Sequence, residues 1–265
     1  CSDRWDGLNV TIPYKKAVVS YCAELSEAAA KLQSVNTLVR RPDGTLYGDN
    51  TDLFGFLYMV RRSGIDPAGK KALVLGSGGA YVPGKAAVDL RLFPQCEGVL
   101  DIVYNPARTA LLLQAEELGI PHAGGLSMLV AQAKRSSEQF TGTVIGDEAL
   151  GRVERTVNHR LRNIILIGMP GSGKSAVAAA LGKALDREVV EADELIAQRA
   201  GMSIPEIFAR SGEETFRKLE TEVLAEQGKR SGIILSTGGG CVTRPENYPL
   251  LHQNGTIFRL TRDLA

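Results

Sequence analysis

The chain is short of paired cysteines, of excess charge of either sign, and of long apolar runs. Its four cysteines stand at positions 1, 22, 96 and 241. No Cys-x-x-Cys occurs, and His122, His159 and His252 do not cluster with the thiols, so neither a zinc site nor a redox pair is expected. Lysine plus arginine number 31 against 30 for aspartate plus glutamate, a net charge of +1. That lacks the basic excess of a general nucleic-acid-binding surface. No stretch approaches about 18 apolar residues, so no membrane-spanning helix is expected. No secretory signal opens the sequence, and scattered thiols without an export signal point to the cytoplasm.

What is present is ordinary for a globular protein. Hydrophobic residues make up 44% and charged residues 23% of 265, which excludes a disordered or collagen-like chain. At roughly 100–200 residues per domain, the length predicts two domains.

Along the chain, residues 8–12 read as a strand stopped by Pro13, and residues 15–33 carry helical spacing. Residues 35–48 read as a hairpin turning at Pro42-Asp43-Gly44, and 52–63 as a helix. Lys71–Leu75 is a continuous apolar strand running into Gly76-Ser77-Gly78-Gly79-Ala80. A further strand is predicted at 99–104 and helices at 107–118 and 126–140. The polar stretch 141–162 holds the domain boundary, with a connecting helix over about 147–161. The pattern then restarts: strand 163–167, helix 174–185, strand 188–190, helices near 193–200, 204–210 and 213–228, and strands at 232–236 and 256–260. Strands alternating with helices predict an α/β fold.

The sharpest signal is Gly168-Met169-Pro170-Gly171-Ser172-Gly173-Lys174-Ser175, which fits G-x-x-x-x-G-K-[ST] between a buried strand and a helix. Glycines let backbone amides turn toward phosphate oxygens, and the helix start adds positive charge. Gly171, Ser172, Gly173, Lys174, Ser175 and Ala176 are the candidate ATP contacts. Lys174 would reach the β and γ phosphates, and Ser175 would hold Mg²⁺. The bland alternative is a tight strand–helix turn with a surface lysine.

Other residues bear on the acceptor. Glu191-Ala192-Asp193-Glu194 ends the next strand, Phe216-Arg217 lies on a helix, and Gly238-Gly239-Gly240 follows a strand. A carboxylate, an arginine and a glycine triplet suit a small polyhydroxy acid. Together with Gly212-Glu213-Glu214-Thr215-Phe216-Arg217-Lys218-Leu219-Glu220, these stretches resemble shikimate kinase. The resemblance implies that Asp193 acts at the reacting hydroxyl, that Arg217 binds the acid's carboxylate, and that Gly239 and Gly240 contact the ring. Glu191 stands where the family has a shorter aspartate that supports the metal through water. The family's lid and later arginines are expected beyond Ala265, and without them turnover is expected to be impaired.

In the first half, Asn9-Val10-Thr11-Ile12-Pro13-Tyr14-Lys15, Val35-Asn36-Thr37 and Gly48-Asp49-Asn50-Thr51-Asp52 are polar loop and cap residues. Singly, they read as caps and a surface ion pair. Together and in order, they resemble shikimate dehydrogenase. The resemblance implies a catalytic pair, Lys15 and Asp52, and substrate contacts at Thr11, Asn36, Asp52 and Gln132. Gly76, Gly78, Gly79, Ala80 and Tyr104 are the implied NADP(H) contacts, with Tyr104 opening a Tyr-x-Pro-x-x-Thr segment that ends at Thr109. Pro83 and Gly84 make a helix after the glycine turn improbable. Measured against the family, a block between Ala80 and Tyr81 and an opening Ser-x-Ser before Cys1 are missing, and both chain ends read as cut. Asp101 lies about 20 residues past the glycine turn, but in an apolar strand, and reads as a different element.

The reading is therefore a partial shikimate dehydrogenase-like part at 1–142, a connecting segment at 143–161, and a P-loop kinase-type parallel α/β part at 162–265. The first part divides into a substrate-binding region at 1–65 and an incomplete Rossmann-like and C-terminal region at 66–142. The implied chemistry is NADP-dependent reduction of 3-dehydroshikimate to shikimate, then phosphorylation of shikimate by ATP with Mg²⁺. The alternatives are another P-loop small-molecule kinase, or an inactive fragment that binds shikimate or ATP.

Overall fold

The computed structural model describes residues 5–74 and 86–261. The first half builds a four-stranded sheet from β1 (Gly7–Asn9), β2 (Glu24–Leu25), β3 (Thr37–Arg40) and β4 (Leu46–Asp49), in the order β1-β3-β4-β2. The hairpin β3–β4 turns at Gly44, whose φ of 84° suits glycine. Strand β1 is shorter than the 8–12 expected, although Val10 still donates its amide to Asn36.

The helical spacing over 15–33 resolves into three pieces, a correction to the single element expected. A 3₁₀ turn at Ala17–Tyr21 precedes β2, and α1 (Glu27–Leu32) follows. Sheet pairing wins in the middle: Ala23 donates to Leu46, and β2 runs parallel to β4. Ser26 then restarts the helix by accepting from the Ala29 amide. Val18, Val19, Cys22 and Leu25 still bury one face against Ala29, Val35 and Leu38, which explains the helix-like spacing.

Helix α2 (Thr51–Ser63) begins at Asn50, which caps the Leu53 amide. The strand expected at Lys71–Leu75 is not found at 71–74, which are exposed, Val74 by 86%. An apolar run becomes a buried strand only where a sheet covers it. Among the described residues, the nearest candidate is β5 (Val99–Leu100), which pairs over two residues with the later β6 (His122–Ala123). The strand expected at 99–104 is thus cut to Val99–Leu100. Asp101 turns the chain by accepting from the Val103 amide and the Thr109 hydroxyl. Helices α3 (Ala110–Glu117), α4 (Leu126–Thr141) and α5 (Asp147–Leu161) follow, with α4 packed along α2. Leu150 of α5 is buried with Val130 and Ala131 of α4.

The second half is one parallel sheet. Its elements are β7 (Asn163–Ile167), α6 (Lys174–Leu185), β8 (Val189–Glu191), α7 (Ala192–Ala200), α8 (Ile204–Gln227), β9 (Ile234–Ser236), α9 (Asn247–His252) and β10 (Gly255–Arg259). The order is β10-β7-β9-β8, so the loop-bearing strand lies between neighbours. Buried Ile165, Leu235, Ile196, Leu224 and Leu251 fill the space between sheet and helices. The two helices expected at 204–210 and 213–228 are both present within α8, parted by a kink at Gly212, whose φ of 76° and ψ of 170° are not helical.

The halves touch directly. Arg108 donates its amide to Gln253, Ala107 donates to the Asn254 side chain, and Arg187 donates to the carbonyls of Arg162 and His159 at the end of α5. No helix among the described residues is long and apolar enough to cross a membrane.

Candidate functional site

All four strands of the parallel sheet deliver their carboxyl ends to one edge, where α/β folds place ligands. The phosphate loop leaves β7 there. Gly171 and Gly173 have φ of 76° and 89°, with open space where a side chain would stand. Lys174 is buried and donates its ammonium to the carbonyls of Gly168 (2.8 Å) and Met169 (3.0 Å), which sets it across the loop. The Ser172 hydroxyl is buried and has no partner among the described residues. Ser175 donates to Glu191 at 3.2 Å. An open glycine cradle, an unpartnered hydroxyl, a lysine and a serine–carboxylate pair fit a nucleotide polyphosphate with Mg²⁺. Ala176 lies exposed in the first turn of α6.

Asp193, in the first turn of α7, is open to solvent in a crowded cleft. The protein packed around it pushes its carboxyl above the ordinary range. Lys174 and Arg217 oppose that rise, and Glu191 adds to it. Arg217 is forked between Glu220 at 2.8 Å and Glu213 at 3.3 Å. The Glu220 side chain is 0% exposed, and burial raises its pKa against the pull of Arg217. Its other oxygen has no partner among the described residues.

The glycine triplet explains itself by contact. A Cβ on Gly238 would lie 2.8 Å from Asp193 Oδ1 and 2.9 Å from Glu220 Oε1. One on Gly239 would strike the Pro170 ring at 2.5 Å, and one on Gly240 the Arg217 guanidinium at 2.4 Å. Asp193, Arg217, Gly239, Gly240 and Lys174 are therefore brought into one cluster. It joins a polyphosphate cradle to a carboxylate and an oriented guanidinium.

In the first half, Lys15 donates to Asp52 at 2.6 Å, both side chains being partly exposed. Gln132 on α4 packs against Gly55, one turn after Asp52. Asn36 is buried, and its Oδ1 accepts from the Thr51 amide at 2.8 Å. Thr11 lies exposed in the turn that leads to Lys15. Tyr104 is exposed at the edge of a cavity bounded by α2, α4 and α5. Gly76, Gly78, Gly79 and Ala80 lie outside the described residues.

Two family profiles match parts of the chain: shikimate kinase over residues 170–265 and the shikimate dehydrogenase substrate-binding domain over residues 1–38. The chain joins a shikimate dehydrogenase-like half to a shikimate kinase-like half. The kinase-like half is 46% identical over 105 residues to the shikimate kinase of Prochlorococcus marinus, covering 39% of this chain and 53% of that one. It is 46% identical over 103 residues to the Geobacter sulfurreducens shikimate kinase, covering 39% and 57%. The chain thus spans about half the length of the curated relatives it matches. A chorismate mutase/shikimate 5-dehydrogenase fusion from Clostridium acetobutylicum superposes with a TM-score of 0.53 and 28% identity, over 57% of this chain and 76% of that one. Shikimate 5-dehydrogenase from Thermus thermophilus, at 22% identity, 58% and 80% coverage and a TM-score of 0.50, shares the fold.

The geometry adds residues that the sequence reading did not single out. In the dehydrogenase-like half, the hydroxyls of Thr37, Thr51 and Ser136 lie within 3.0–3.4 Å of one another and are buried. They hold Asn36 and the start of α2 to α4. In the kinase-like half, Glu220 aims Arg217. Glu220 stood within the motif but carried no assigned role, and its spacing three residues after Arg217 on a helix was the available signal.

Proposed function

We propose that the kinase-like half, residues 162–265, transfers the γ-phosphoryl group of ATP to the 3-hydroxyl of shikimate. The dehydrogenase-like half, residues 1–142, is proposed to reduce 3-dehydroshikimate with NADPH, and residues 143–161 connect the two. The observation that carries this reading is the meeting of Lys174, Asp193 and Arg217 around Gly238–Gly240 at one sheet edge.

The loop amides and Lys174 hold the polyphosphate and neutralise the charge that develops on it. Ser175 and Glu191, hydrogen-bonded to each other, would hold Mg²⁺, which would supply electrostatic stabilisation of the phosphates when bound. Arg217, fixed by Glu220 and Glu213, clamps the substrate carboxylate and sets the ring's orientation. Asp193 orients the attacking hydroxyl and accepts its proton. Glycines 239 and 240 let the backbone approach the ring. In the other half, Lys15 presents a proton to the carbonyl oxygen and Asp52 fixes the ammonium, while Thr11, Asn36 and Gln132 hold the ring hydroxyls. NADP(H) supplies the hydride, with Gly76, Gly78, Gly79, Ala80 and Tyr104 as its proposed contacts. We assign the protein to the cytoplasm, with these small molecules rather than nucleic acid or membrane as partners.

An acceptor panel tests the kinase assignment. ADP release with Mg-ATP is expected with shikimate and not with gluconate or nucleoside monophosphates. Release driven by one of the others, with shikimate inert, would move the chain to a different small-molecule kinase.

A further inference from the structure

A cavity of about 310 Å³ lies where α5 meets the dehydrogenase-like half. That is the lower end of the volumes of small-molecule sites. Its wall includes Arg62 from α2, Tyr104, Ser127 from α4, and Glu154, Asn158 and Arg162 from α5 and its end. It shares no residue with the phosphate loop or with the Lys15–Asp52 pair, and Tyr104 is the one proposed NADP(H) contact in its wall.

Arg162 is the charge left unexplained. Its Nε is buried without a hydrogen-bond partner among the described residues. Burial and the like charge of Arg108 hold its guanidinium below the ordinary value. The carboxylate that opposes them, Glu116, already serves Arg108 at 3.2 Å and His252 at 3.3 Å. Among the described residues this half-buried guanidinium has no counter-ion of its own, which is costly and favours an added anion. Arg62 and Glu154, 3.5 Å apart in the same wall, balance each other, so the uncompensated charge there is that of Arg162. Helix α4 points its first turn at the same space, and Gly125 caps it with no side-chain hydrogen bond, so the helix's positive end is uncovered there.

We propose that this cavity binds a small oxyanion, a phosphate or a carboxylate, held by Arg162 with Arg62, Asn158 and the first turn of α4. The connecting helix would thus form part of a binding site in addition to joining the halves.

The test is thermal unfolding of the full chain with inorganic phosphate and, separately, malonate, each against sodium chloride of equal ionic strength. The phosphate loop also takes phosphate, so the series is run in Lys174→Ala. A saturable rise in Tm with either anion is expected, with at least tenfold weaker binding in Arg162→Gln and in Asn158→Asp. Phosphate without malonate would assign a phosphate ligand, and the reverse a carboxylate. Should Arg162→Gln fail to fold, Asn158→Asp still decides, because it sets a carboxylate in the wall and leaves the guanidinium in place. The proposal is overturned by anion stabilisation that disappears with Lys174→Ala alone, or that persists undiminished in Asn158→Asp.

Discussion

Glu220 and Asp193 are acids of unlike burial in one cleft, and they serve different ends. Glu220 is sealed from solvent and spends one oxygen on Arg217. Removing Glu220 leaves Arg217 with Glu213 alone, so the loss is that of a charged hydrogen bond, about 1.5–3 kcal/mol. Glu220→Ala is therefore expected to lower unfolding stability by about that much in denaturant titration, and Glu220→Gln by less, since the amide oxygen still accepts from Arg217. An unchanged denaturation midpoint in Glu220→Ala would remove Glu220 from this role. Asp193 is raised by crowding, so its ionisation lies above the ordinary carboxylate range. The working form accepts a proton and must be ionised, so kinase activity is expected to rise with pH through that elevated value. Asp193→Asn is expected to erase this acid limb along with most of the rate.

Elements explain why some residues cannot change. Gly240 faces Arg217 so closely that a methyl group would displace the guanidinium. Gly240→Ala is expected to raise KM for shikimate at least tenfold with little change in KM for ATP, measured by initial rates. An equal effect on both would show a general disturbance of the loop. Gly212 sits at φ 76° and ψ 170° in the break of α8, a region essentially confined to glycine, where a side chain is strained by about 1–3 kcal/mol.

The same scale shows what the sequence made legible. The phosphate loop, α5, α6 and β7 stand where the residues place them, because each is set by local pattern. The strand expected at Lys71–Leu75 failed because an apolar run needs neighbours to cover it, and neighbours are a tertiary property. The helix over 15–33 failed because β4 supplied a partner for Glu24 and Leu25 that no window of sequence reveals. The site followed the same division. Lys15 and Asp52 meet as expected, whereas the Thr37–Thr51–Ser136 hydroxyl cluster joins residues up to 99 apart and has no local signature.

At the scale of the whole molecule, the two halves are sewn together through 105–108, Glu116 and the 252–254 turn. Burial and the charges of Arg108 and Arg162 depress the pKa of His252, opposed by Glu116. The unfolded chain therefore binds the proton more readily. The contribution is present above the unfolded value, ~6.5, and is lost as pH falls through the depressed folded value. Tm is expected to drop over that acidic window, and His252→Gln to flatten the drop. A His252→Gln profile identical to that of the parent would place the acid sensitivity elsewhere.

The most direct measurement follows the full chain with Mg-ATP and shikimate by ³¹P NMR. A new phosphate monoester resonance on the shikimate 3-hydroxyl is expected, and it should be absent in Lys174→Ala. No monoester from the parent chain, or an equal signal from Lys174→Ala, would contradict phosphoryl transfer at the cluster of Lys174, Asp193 and Arg217.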